Sequence, residues 1–132
     1  MIHATGTFDV QLGPLPQYNQ DVDAKLARMS IDKQFHGDLT ATSKGEMLSA
    51  LTDVNGSAGY VAIERVIGVL HGRSGSFVLQ HNAVMNRGIP ESNIIVVPDS
   101  GTGELSGLSG NLQIIIVDGT HTYEFDYTLP EK

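Results

Sequence analysis

Hydrophobicity in this chain repeats every second residue, and no stretch carries the three-to-four-residue repeat of a long helix. Ile2, Ala4, Gly6, Phe8, Val10 and Leu12 fall on one parity, and His3, Thr5, Thr7, Asp9 and Gln11 fall on the other. Successive side chains of a strand point to opposite faces, so this pattern specifies a strand buried on one side. Ala27, Met29, Ile31 and Phe35 repeat the pattern within residues 24–36, and Gly37-Asp38 turns the chain into Leu39–Leu51, a weaker run that Gly45 interrupts. Residues 60–71 and 74–86 form a pair across Gly72-Arg73, and residues 111–117 and 120–129 form another across Asp118-Gly119. Asp-Gly between alternating runs is a strong signal for a type I′ hairpin, because both turn residues accept positive φ.

Punctuation between the runs agrees with this reading. Asp53-Val54-Asn55-Gly56 and Arg87-Gly88-Ile89-Pro90 supply turns, residues 94–97 read as a short buried strand closed by Pro98, and residues 101–110 form a glycine-punctuated connection. Gly13-Pro14-Leu15-Pro16 is expected to end the first strand, since proline donates no ladder hydrogen bond. Residues 14–23 then form the longest irregular stretch, a cap or a mobile lid. The count is about eight strands, which predicts an all-β sandwich or barrel. Eight strands close well, so the expectation is a closed antiparallel β-barrel forming one domain over residues 1–132. Its interior is either filled by side chains or holds one small ligand.

Charge narrows the function classes. Eight Lys and Arg against fifteen Asp and Glu leave a formal charge of -7, which repels phosphate backbones and anionic headgroups and argues against nucleic-acid and membrane partners. No apolar run approaches the roughly 20 residues of a membrane-spanning helix, and the first residues lack a basic segment followed by an apolar one, so a cytoplasmic location is expected. The absence of cysteine removes disulfides, thiol nucleophiles and thiolate metal sites.

Several segments carry a resemblance. Residues 101–110, Gly-Thr-Gly-Glu-Leu-Ser-Gly-Leu-Ser-Gly, resemble the glycine-rich turn before a late strand in allene oxide cyclase-like barrels, dirigent proteins among them. Lys25-Leu26-Ala27-Arg28, Phe35-His36-Gly37-Asp38-Leu39, Tyr60-Val61-Ala62-Ile63-Glu64-Arg65 and the run from Gly72 to His81 look like a domain-of-unknown-function family of small bacterial proteins with that barrel. The resemblance implies the fold and brings no activity, cofactor or catalytic residue with it.

The glycines at 101, 103, 107 and 110 do not make a nucleotide loop: position 106 is Ser and strand residues follow Gly110, whereas the dinucleotide fingerprint needs G-x-G-x-x-G ahead of a helix. His3, His36, His71, His81 and His121 lie on separate runs without metal-ligand spacing, so no metal and no cofactor is expected.

The hairpin around Gly72-Arg73 is more informative. A two-residue loop there sets Glu64 opposite His81, on a face shared with Tyr60, Ala62, Val66, Leu70, Phe77, Leu79, Ala83 and Met85. That face is mostly apolar and is expected to point inward, placing a carboxylate beside an imidazole where burial and pairing shift protonation. Two readings stand side by side: a proton-transfer or ligand-orienting pair, and a satisfied polar contact in the core.

Leu112, Ile114 and Ile116 share an inward face with Tyr123, Phe125 and Tyr127, whose hydroxyls need partners that either a ligand or the core could supply. The candidate ligand-binding set is therefore Tyr60, Glu64, Phe77, Leu79, His81, Met85, Tyr123, Phe125 and Tyr127, with Glu64 and His81 as catalytic candidates. The leading expectation is a barrel that binds a small, largely apolar molecule. The rivals are an isomerase or cyclase using Glu64 and a purely structural subunit. On the opposite parity Val61, Ile63, Ile67 and Val69 make an apolar outer face, which predicts a homo-oligomer unless the 14–23 loop covers it.

Overall fold

The computed structural model describes residues 1–130 and contains β1 (Ile2–Leu15), β2 (Leu26–Gly37), β3 (Leu39–Leu51), β4 (Ala58–Leu70), β5 (Arg73–Asn86), β6 (Ile89–Val96), β7 (Ser109–Val117) and β8 (Thr120–Thr128). A single 3-10 turn, Gly103–Leu105, lies between β6 and β7. Each strand pairs antiparallel with the next and β8 returns to β1, so the chain is a closed eight-stranded antiparallel barrel, as its alternation predicts. Among the described residues no helix is long and apolar enough to cross a membrane.

The tight turns fix the register. Asp118-Gly119 takes φ of 49° and 80°, the positive pair that a type I′ turn demands. The β4–β5 loop is His71-Gly72, with φ of 48° and 80°, rather than the expected Gly72-Arg73. Histidine is among the residues that enter the left-handed region more readily, which frees Arg73 to pair with Leu70. The pairing therefore moves by two residues: Glu64 faces Leu79 and His81 faces Ala62, not one another. Two residues is one full period of a strand, so every side chain keeps its expected face.

A second correction concerns β1, which continues through Pro14 to Leu15 and pairs Pro14 with Met29. The β1–β8 ladder ends at Phe8 and His121, so beyond that point one edge of β1 has no partner and a proline is tolerated there. Residues 16–25 form the connection instead, with Tyr18 and Val22 largely exposed.

The two ends of the barrel differ. The end bearing the β2–β3 and β4–β5 turns is packed solid with Phe8, Phe35, Leu39, Leu70, Phe77, Tyr123, Phe125 and Tyr127, and Leu105 and Leu108 from the connection after β6 join the same cluster. Burying each such side chain contributes roughly 1.5–3 kcal/mol. At the other end the ladders stop early, since β6 and β7 are paired only at Ile95 and Asn111. Ile116, expected inward, is 62% exposed here because β7 runs on past the packed region.

Candidate functional site

Rows of paired residues run around the wall and place the inward side chains. One row joins Ile31, Gly45, Glu64 and Leu79, and the row above it, toward the open end, joins Met29, Met47, Ala62, His81 and Ile94. Glu64 and His81 are thus diagonal neighbours on one face, close enough for long side chains to meet.

They do meet, in a cluster that also holds Lys33 and Ser43. Nε2 of His81 and Nζ of Lys33 both donate to Oε2 of Glu64, at 2.6 and 2.8 Å, while the Ser43 hydroxyl donates to Oε1 at 2.7 Å. The side chains of Glu64, His81 and Lys33 are only 0%, 3% and 7% exposed. Burial alone would raise the Glu64 pKa, but the hydrogen bond from His81 and the positive charge of Lys33 outweigh it and hold the carboxyl at about 2. The Lys33 ammonium also lies 4.9 Å from the Phe8 ring centroid and 5.8 Å from that of Phe35, so the packed aromatics of the closed end help to hold it.

Lys33 and Ser43 are the members that sequence reasoning missed. The signal was present in the strand pattern: Lys33 stands between Ile31 and Phe35 on the inward parity of β2, where a lysine requires a buried partner. Glycine at 45 makes the room, because a Cβ there would come within 2.8 Å of the Glu64 Cβ.

Above the cluster lies a pocket of about 380 Å³ at the open end, lined mainly by apolar side chains, with Met47, Tyr60, Ala83, Met85, Ile94 and Ile114 among them. Tyr60 stands over the imidazole, with ring centroids 6.3 Å apart. Its phenol pKa is raised by burial and by the nearby charge of Glu64. Of the nine candidate ligand contacts, Tyr60 and Met85 line this pocket, whereas Glu64 and His81 are buried and do not line it, His81 pairing along the wall with the lining residue Ile94. Phe77, Leu79, Tyr123, Phe125 and Tyr127 belong to the packed core. The Tyr123 hydroxyl accepts from the amide of Leu39 at 2.9 Å and donates to the carbonyl of His36 at 2.8 Å, and that of Tyr127 bonds Nδ1 of His71 at 2.5 Å. These hydroxyls are satisfied by the protein itself.

The other histidines stay apart. His3 pairs with Asp126 at 2.6 Å, His36 with Asp9 at 3.0 Å, and His121 packs on Phe8. Among the described residues no group of three His, Asp or Glu side chains is arranged to hold a metal ion.

A family model described as a protein of unknown function (DUF3224) matches residues 4–127. Among solved structures the chain is similar to the crystal structure of a protein with unknown function from the DUF3224 family of Shewanella oneidensis MR-1. The two share 52% sequence identity with a TM-score of 0.96, covering 100% of this chain and 99% of that one. No curated protein matches the chain.

Proposed function

The chain belongs to the DUF3224 family of proteins of unknown function, so no activity comes with membership, and from the site itself we propose that the barrel binds a small, largely apolar molecule in the pocket at its open end. The observation that carries this reading is a pocket of about 380 Å³ walled by inward-facing apolar residues in a barrel whose other end is packed solid. A volume of that size lies within the range of small-molecule sites, roughly 300–1,000 Å³. Toluene is a suitable probe: methyl resonances of Met47, Met85, Ile94 and Ile114 should shift on titration, and Ala83→Trp, which fills the pocket, should abolish the shifts. Equal toluene affinity in the wild type and Ala83→Trp would refute the proposal.

The enzymatic alternative finds less support. A general base works best with a pKa near the operating pH, whereas Glu64 is held at about 2 with both oxygens occupied. That geometry suits a carboxylate that orients His81 rather than one that takes a proton.

The outer face of β4 favours self-association. Val61, Ile63, Ile67 and Val69 are 50%, 49%, 51% and 38% exposed, although Gln17, Tyr18 and Asn19 of the connection border Val61. Apolar patches of this kind are uncommon on monomers, which supports a second copy as the occupant.

A further inference from the structure

We propose that the molecule bound in the open-end pocket carries one neutral hydrogen-bond donor, a hydroxyl, at its inner end, and that this donor is received by Nδ1 of His81; the inference rests on the pocket reading above. Nδ1 of His81 is a buried polar atom without a hydrogen-bond partner among the described residues. Buried polar groups are almost always paired, so an orphan in a native barrel points to a partner from outside the chain, an ordered water or a bound molecule that displaces it.

The chemistry of that partner follows from the cluster below. A carboxylate only accepts hydrogen bonds, so the 2.6 Å contact with Glu64 requires the proton of His81 on Nε2. Lys33 and Glu64 already balance one another as a buried ion pair, and a third buried charge would be costly to keep from water. Nδ1 then presents a lone pair, an acceptor that calls for a donor. An anionic ligand group fits poorly, because Glu91 stands at the pocket and the Lys33 ammonium is committed to Glu64 and the aromatic rings beneath it.

Placement follows from the wall. His81 occupies the same row as Met47 and Ile94, both of which line the pocket, while its Nε2 is turned to the deeper row of Glu64. The Tyr60 ring, inclined 43° to the imidazole, lies beside this position and is itself part of the pocket wall.

Phenol, toluene and benzoate test the inference, since they match in shape and differ in the one group. Nitrogen resonances of the His81 imidazole are followed in the wild-type chain alongside affinity. Phenol should bind no more weakly than toluene and should move the Nδ1 signal toward the hydrogen-bonded position; benzoate should bind at least tenfold more weakly than phenol. In His81→Phe, which keeps a ring and loses the acceptor, phenol should fall more than tenfold below toluene. Toluene binding tenfold tighter than phenol in the wild type, with Nδ1 unmoved, would overturn the inference and leave the pocket reading standing. Binding of neither aromatic would overturn both. The wild-type measurements decide the matter even if His81→Phe fails to fold.

Discussion

Gly45 faces Glu64 across the β3–β4 ladder, and the missing side chain of the one makes the space into which the other turns. A Cβ at position 45 would lie 2.1 Å from the Ile63 carbonyl oxygen and 2.6 Å from the Glu64 Cα, both backbone atoms that cannot step aside. Gly45→Ala should therefore destabilise the barrel by about 1–3 kcal/mol in urea unfolding. A change within about 0.5 kcal/mol, the range of an ordinary surface substitution, would show that the close approach is not a constraint.

The charge cluster makes a sharper prediction. Lys33→Met removes the ammonium and leaves a buried carboxylate short of positive charge, which should cost about 3–5 kcal/mol. Adding Glu64→Gln removes the stranded charge, so the double variant should be more stable than Lys33→Met alone. A double variant as unstable as the sum of the two single changes would mean that the residues are not energetically coupled.

Acid should expose the same carboxylate. Glu64 is held at about 2, below its ordinary 4.5, so the native state binds its proton more weakly than the unfolded chain. Its stabilisation is complete above pH 4.5 and fades as the pH falls toward 2, and the gap of 4.5 minus 2 corresponds to about 3 kcal/mol. Unfolding free energies measured across that window should drop steeply in the wild type and less steeply in Glu64→Gln. Parallel curves would show that another group controls the acid limb.

The solid end and the open end should answer differently to truncation. Phe77→Ala empties part of the packed cluster and should cost about 3–5 kcal/mol, whereas Met85 is already 41% exposed at the pocket and its replacement by Ala should cost under about 1 kcal/mol. Comparable losses at the two positions would contradict the division of the barrel into a packed end and an open one.

For the outer face, Ile63→Lys with Ile67→Lys should shift sedimentation to smaller species while leaving the circular dichroism of the strands intact. A wild-type chain that sediments as a monomer at every practical concentration would remove the self-association proposal.

Strand periodicity made the fold legible from the sequence, and it also put Glu64 and His81 on the inner face. What escaped was geometry that depends on the third dimension. The register slipped by two because Gly72-Arg73 and His71-Gly72 are both plausible two-residue loops, and only the positive φ of His71 distinguishes them. Parity survived the slip, since two residues is one strand period. Lys33 does not stand out in the sequence because its neighbours Ile31 and Phe35 dominate the inward parity of β2. Its partner sits two strands away, 31 residues on, where no local pattern reports it. The closure of one end by Leu105 and Leu108 was likewise invisible, since the glycines around them read only as a turn.

The seam between first and last strands has a consequence for how the molecule could be rebuilt. Ile2 lies opposite Tyr127 in the same kind of ladder that joins every consecutive pair, so the ends of β1 and β8 are neighbours in space. A short linker between them would turn the barrel into a ring without a privileged starting point, and new termini could be opened in the exposed turn at Asn55 and Gly56. The order in which the ribosome delivers the strands would change while the wall they form stays the same.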